Sequence, residues 1–149
     1  MKALTVRQPW AWAIAKGYKN VENRLRPTSH RGPLAIHAAK LWDDDREFAL
    51  KTTVDLARAQ GSVLPKNLAK DLPYSDTGLV LAVVDLVGVC VDSRDGGECG
   101  CGPWAQPGTA HWKLANARLL PEPFRARGAL YLFDVEVPDS VVTTSGASS

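Results

Sequence analysis

The sequence predicts an α+β domain, an open or closed, mostly antiparallel β-barrel with helices packed on it. Three observations carry this. Six stretches read as strands, against one long helix and two short ones. The long helix is inserted after the third strand, so helices and strands do not alternate as they do in a parallel α/β sheet. Of the 149 residues, 45% are apolar and 23% charged, which is ordinary for a soluble chain and enough for a single core.

The elements follow in order. Ala3 to Arg7 alternates and is β-rich, a first strand. Pro9 suits the opening position of a helix, where its missing N–H costs nothing. Trp10, Ala13 and Ile14 fall on one face of that short helix, and Gly17 is placed to end it. Its N-terminus beside Arg7 offers a seat for an anion. Val21 to Arg24 reads as a short strand, Arg24 to Arg31 as a basic loop, and Gly32 to Ala38 as a buried strand. Trp42 to Gln60 is the long helix, with Asp43 as its expected cap and Gly61 as its end. Pro65 to Asp71 adds a second short helix. Gly78 to Val91 is too β-branched for a helix and reads as a long core strand, with Gly88 as a bulge. Asp92 to Gly108 is a loop rich in Gly, Cys and Pro. Trp112 to Leu120 and Ala129 to Val137 complete the strands, joined through Pro121 and Pro123. One domain is expected over 1–138, followed by a disordered polar tail at 139–149.

Net charge is +2, so affinity for phosphate must come from local clustering. The charge is uneven. Residues 1–40 carry Lys2, Arg7, Lys16, Lys19, Arg24, Arg26, Arg31 and Lys40 against Glu22 alone, a local net of +7. The first residues carry no apolar signal core. The longest apolar run, Leu79 to Val91, contains Asp85 and is too short to span a bilayer. Three cysteines argue against a disulfide-built domain, and a cytoplasmic protein with no membrane partner is expected.

The chain centres on Gly17-Tyr18-Lys19-Asn20-Val21-Glu22-Asn23-Arg24. Glu22 and Arg24 are two apart on a strand and share a face. Lys19 has the opposite parity and joins them only from a turn. This motif, Gly17-x-Lys19-x-x-Glu22-x-Arg24, resembles the signature of the ASCH domain family, of the PUA-like superfamily. The likeness extends to Arg7-Gln8-Pro9-Trp10-Ala11, His30-Arg31-Gly32, Ile36-His37-Ala38, Gly78-Leu79-Val80, Trp112-Lys113-Leu114 and Pro121-x-Pro123, most of residues 2–136. It implies a small β-barrel with a positive cleft lined by the motif. It also implies RNA or DNA binding, hydrolysis of N4-acetylcytidine, or, for some members, RNA cleavage. In the hydrolase branch a Thr nucleophile stands where this chain has Glu22, which counts against that chemistry here.

Residue chemistry gives the same candidates. For binding, Arg7, Lys19, Arg24, Arg31 and Lys40 supply phosphate contacts, and Trp10 or Trp112 stacks on a base. Gln8 and His37 add hydrogen bonds, and Glu22 orients the two cations or accepts from a base amino group. The partner is then a nucleic acid or a nucleotide-derived ligand. For catalysis, Lys19, Glu22 and Arg24 are the residues. Lys19 as base is opposed by the Glu22 carboxylate, so Glu22 activating water with Lys19 or Arg24 at the oxyanion is the workable form. A ribonuclease would need His37 or His111 with Lys19, and a histidine in an apolar strand is more often a satisfied core residue. Cys90, Cys99, Cys101 and His111 offer four zinc-ligand types. The C-x-C spacing is tighter than the usual C-x₂₋₄-C, however, and the thiols read as incidental. No metal or other cofactor is expected. Asp85 needs a partner, either a motif cation or solvent at a pleat.

Overall fold

A computed structural model describes residues 1–139 and 141. The expected tail therefore lies largely outside the described residues. Eight elements and one 3₁₀ turn follow in order: β1 (Lys2–Gln8), α1 (Trp10–Ala15), β2 (Val21–Arg24), β3 (Gly32–Trp42), α2 (Arg46–Ala59), the 3₁₀ turn Leu68–Lys70, β4 (Leu79–Cys90), β5 (Ala110–Arg125) and β6 (Phe133–Asp134).

The α+β class holds. The six strands form one mixed sheet in the order β2-β5-β4-β3-β1-β6, in which only the β1–β3 pair is parallel. The expected barrel is not closed. The ladder ends at β2 and β6, which do not pair with each other.

The core is built from alternate residues of β1, β3, β4 and β5. Leu4, Leu34, Ile36, Leu81, Val84 and Leu86 meet Trp112 on one face with Ile14 of α1. Ala35, Val80, Val83 and Leu120 form a cluster with Ala3 and Val141. Every residue of α1 after Trp10 is buried. A helix hydrophobic all round belongs inside a fold, and α1 bridges the sheet to a third cluster around Trp12, Ala57, Leu68 and Trp104.

Several boundaries depart from the sequence reading. The helix expected from Trp42 begins at Arg46, with Asp45 rather than Asp43 accepting from the Phe48 N–H at its start. Trp42 instead extends β3, opposite Gln8. The segment 65–71 holds only one 3₁₀ turn. Residues 112–125 form one unbroken strand with Pro121 and Pro123 inside it, and the strand expected at 129–137 pairs only at Phe133–Asp134. The anion seat at Gln8-Pro9 is already filled, because Gln8 Oε1 accepts from the Trp12 N–H at 2.8 Å. Asp85 pairs with Arg118 at 3.0 Å and Asn116 at 3.1 Å, not with a motif cation. No helix among the described residues is long and apolar enough to cross a membrane.

Candidate nucleic-acid interface

The motif is placed by the turn that leaves α1. Gly17 takes φ +80°, which L side chains rarely adopt. The next two amides, Tyr18 and Lys19, both donate to Ala13 O, at 2.9 and 3.0 Å. The chain thus reverses over its own helix, and Lys19 comes to the side of β2 that bears Glu22. β2 is held in turn by β5, with Glu22 opposite Trp112 and Asn23 opposite His111.

The three motif heads meet. Lys19 Nζ donates to Glu22 Oε1 at 3.0 Å and also to the Val21 carbonyl. Arg24 Nη1 donates to Glu22 Oε2 at 3.3 Å. The Lys19 and Glu22 side chains are only 4% and 10% exposed, while Arg24 is 25% exposed. The trio lies at one side of a cleft of about 550 Å³, whose other walls include Arg7, Trp10, Trp104, Gln106 and Leu130. Arg7 pairs with the exposed Asp44 at 3.2 Å, and Trp10 Nε1 donates to Asp43 Oδ2 at 3.1 Å. Among the described residues the other guanidinium N–H groups of Arg24 have no protein acceptor.

The remaining candidates lie elsewhere. Gln8 is fully buried; besides capping α1 it donates to Tyr74 O and Asp76 O, both at 2.8 Å. Trp112 is fully buried, with Nε1 donating to Arg26 O at 2.9 Å. Arg31 is exposed and donates to Thr28 O and His30 O. Lys40 is exposed at the far part of β3 and does not line the cleft. His37 is buried, its Nε2 donating to Ala126 O at 2.6 Å and its Nδ1 accepting from Thr5 Oγ1 at 3.0 Å.

That placement gives His37 a measurable role in stability. Burial pushes its imidazole below the ordinary value of 6.5, and the carbonyl contacts at Ala126 and Gly78 oppose this only in part. The unfolded chain therefore binds more protons than the folded one as pH falls through that region. Stability is fully present above pH 6.5 and is lost on acidification. Urea midpoints are expected to fall between about pH 7 and pH 5, and His37→Gln to flatten that slope. A slope unchanged by the substitution would assign the effect to other groups.

Two cleft residues escape the sequence reading. Asn23, inside the motif, donates to Trp104 O at 3.0 Å and accepts from the Gln106 N–H at 2.8 Å. It thereby ties the loop between β4 and β5 to the motif strand. Trp104, carried on that loop, is 3% exposed, and its Nε1–H is the one buried side-chain polar atom without a partner among the described residues. Nothing local in the sequence marks either contact, since 81 positions separate Asn23 from Trp104.

The ASCH domain family model matches residues 4–124, which include both the motif and the cleft loop. The chain belongs to the ASCH domain family. The human protein Activating signal cointegrator 1 is 36% identical over 85 residues, which cover 56% of this chain and 13% of the human one. The match thus spans only a small part of that relative's length.

Proposed function

We propose that this ASCH domain is a PUA-like module that binds RNA in the cleft, holding a base with its neighbouring phosphate. The observation that carries this is the Lys19–Glu22–Arg24 cluster set in a cleft with tryptophans in its walls. A volume of about 550 Å³ lies in the range of small-ligand sites. The free N–H groups of Arg24 suit a phosphate oxygen. The indole of Trp10 offers a stacking surface that tolerates any base. Each Glu22 oxygen retains a lone pair beyond its cation contact and can accept from an exocyclic amine.

The same geometry disfavours hydrolysis of N4-acetylcytidine. A proton taken from water would leave Lys19 and Arg24 facing a neutral carboxyl and break both ion pairs of Glu22, and Lys19 spends two N–H groups on fixed acceptors. RNA cleavage by histidine is disfavoured too, since His37 is saturated by Thr5 and Ala126.

Fluorescence anisotropy with a short single-stranded RNA tests the reading. Binding is expected at low salt, with log K falling by about 0.7 per phosphate contact for each tenfold rise in salt. Arg24→Gln is expected to weaken binding and to flatten that slope by the equivalent of about one contact. No binding at low salt, or release of cytidine from N4-acetylcytidine without RNA binding, would overturn it.

A further inference from the structure

A second cluster lies behind the cleft loop, and none of its groups takes part in the motif. Cys90 ends β4, His111 is the second residue of β5, and the two face each other across the ladder. Cys99 and Cys101 come from the intervening loop. The three sulfurs and one imidazole nitrogen all lie within 4.8 Å of one another, and none of the cysteines is in a disulfide. Sequence spacing makes these thiols look incidental; the fold brings them to one point.

We propose that Cys90, Cys99, Cys101 and His111 form a structural zinc site that pins the loop bearing Trp104 and Gln106. The tautomer of His111 is the first support. Its Nε2 sits 2.7 Å from Gln106 O, and a carbonyl only accepts, so Nε2 carries the hydrogen. Nδ1 then turns its lone pair toward the sulfurs, accepting from the Cys99 thiol at 3.3 Å. A carbonyl that fixes the far nitrogen of a ligating histidine is the usual outer support of a metal site. Dimensions are the second support. A tetrahedron with Zn–S of about 2.3 Å and Zn–N of about 2.0 Å places its ligand atoms about 3.5–3.8 Å apart. The cluster needs only small side-chain movements to reach that. Ligand chemistry is the third: three thiolates with one imidazole suit zinc and leave no open position for a substrate. Binding releases the three S–H protons to solvent, and the four protein ligands complete the coordination. Without a cation, burial and the neighbouring sulfurs of Cys99 and Cys90 hold the Cys101 thiol up at about 12.

The consequence reaches the cleft. His111 holds Gln106 O, Gln106 N–H is held by Asn23, and Asn23 stands next to Glu22. A metal at this point would fix the loop wall relative to the motif.

The whole chain, expressed with zinc in the medium and purified under reducing conditions without chelator, is expected to hold about one zinc per molecule by elemental analysis. Replacement by cobalt should give the intense visible bands of a tetrahedral thiolate complex. Arg94, in the same loop, is already exposed, and chelation should speed tryptic cleavage there by loosening the backbone around it. Cys101→Ser, checked for folding by circular dichroism, should lose the metal. Should that variant fail to fold, the cobalt spectrum of the unaltered chain decides. A folded chain that holds iron or no metal, or a cobalt spectrum without thiolate bands, would overturn the site. Neither result depends on RNA binding, so this proposal and the RNA-binding one fail separately.

Discussion

Glu22→Leu is expected to destabilise the domain by about 3–5 kcal/mol. The carboxylate stands between two cations and is itself nearly buried. Removing it leaves the Lys19 ammonium, 4% exposed, with only the Val21 carbonyl as a protein partner. An uncompensated buried charge costs far more than the pair it came from contributes. Total stabilities of domains run at about 5–15 kcal/mol, so the loss would be a large share. In urea the midpoint should drop with little change in slope. The double variant Lys19→Met with Glu22→Leu should recover much of the loss, because an apolar pair of similar volume has no charge to desolvate. A single variant as stable as the parent would show that water reaches Lys19 freely. A double variant no better than the single would show that Glu22 acts by shape rather than by charge. Arg24, one quarter exposed, is the milder partner: its loss leaves Glu22 with Lys19 and solvent.

The residues that made the motif legible are those whose partners lie close in sequence. Parity put Glu22 and Arg24 on one face, the αL turn at Gly17 brought Lys19 to them, and β2 runs over the expected Val21–Arg24. The long β4, with a register shift at Gly88, was legible for the same local reason, a β-branched run interrupted by one glycine. Where several residues of one type compete, local reasoning fails. Any of Asp43, Asp44 and Asp45 could cap α2, and the choice of Asp45 is made by β3, which keeps Trp42 in the sheet opposite Gln8. Pro121 and Pro123 looked like a break between strands. They fall where β5 passes from Leu119 opposite Ala82 to Phe124 opposite Val80, five residues against two. Such a bulge needs no ladder donor from them, which is where proline is tolerated. The cleft loop was invisible because its contacts are long-range: Trp104 to Asn23, and Cys99 to His111 after a turn of chain whose path no local pattern fixes. Gln8 and His37 looked like site residues because buried polar groups and ligand-binding groups share residue types. Only the count of satisfied hydrogen bonds separates them.

Trp112 makes that separation measurable. If it stacked on a base, truncation would weaken RNA binding and spare the fold. Its placement demands the reverse. The side chain is fully buried among β-strand residues of the main cluster, meets Tyr131 edge-on at 6.4 Å, and donates to Arg26 O. Trp112→Ala is expected to cost about 3–5 kcal/mol, since a void of that size cannot close against a sheet pinned on both sides. At the sensitivity typical of this chain length, that lowers the melting temperature by roughly 10 °C. Trp112→Phe keeps a ring in the void and loses the indole hydrogen bond, so it should cost clearly less. The phenylalanine variant is expected to fold, so it supplies the binding comparison. Its RNA affinity is expected to match the parent within twofold or so, whereas Trp10→Ala, on the cleft wall, should weaken binding at a cost of about 1–3 kcal/mol. A Trp112→Phe variant that folds normally and loses RNA would place the base against the opposite face of β5 and move the interface away from the motif.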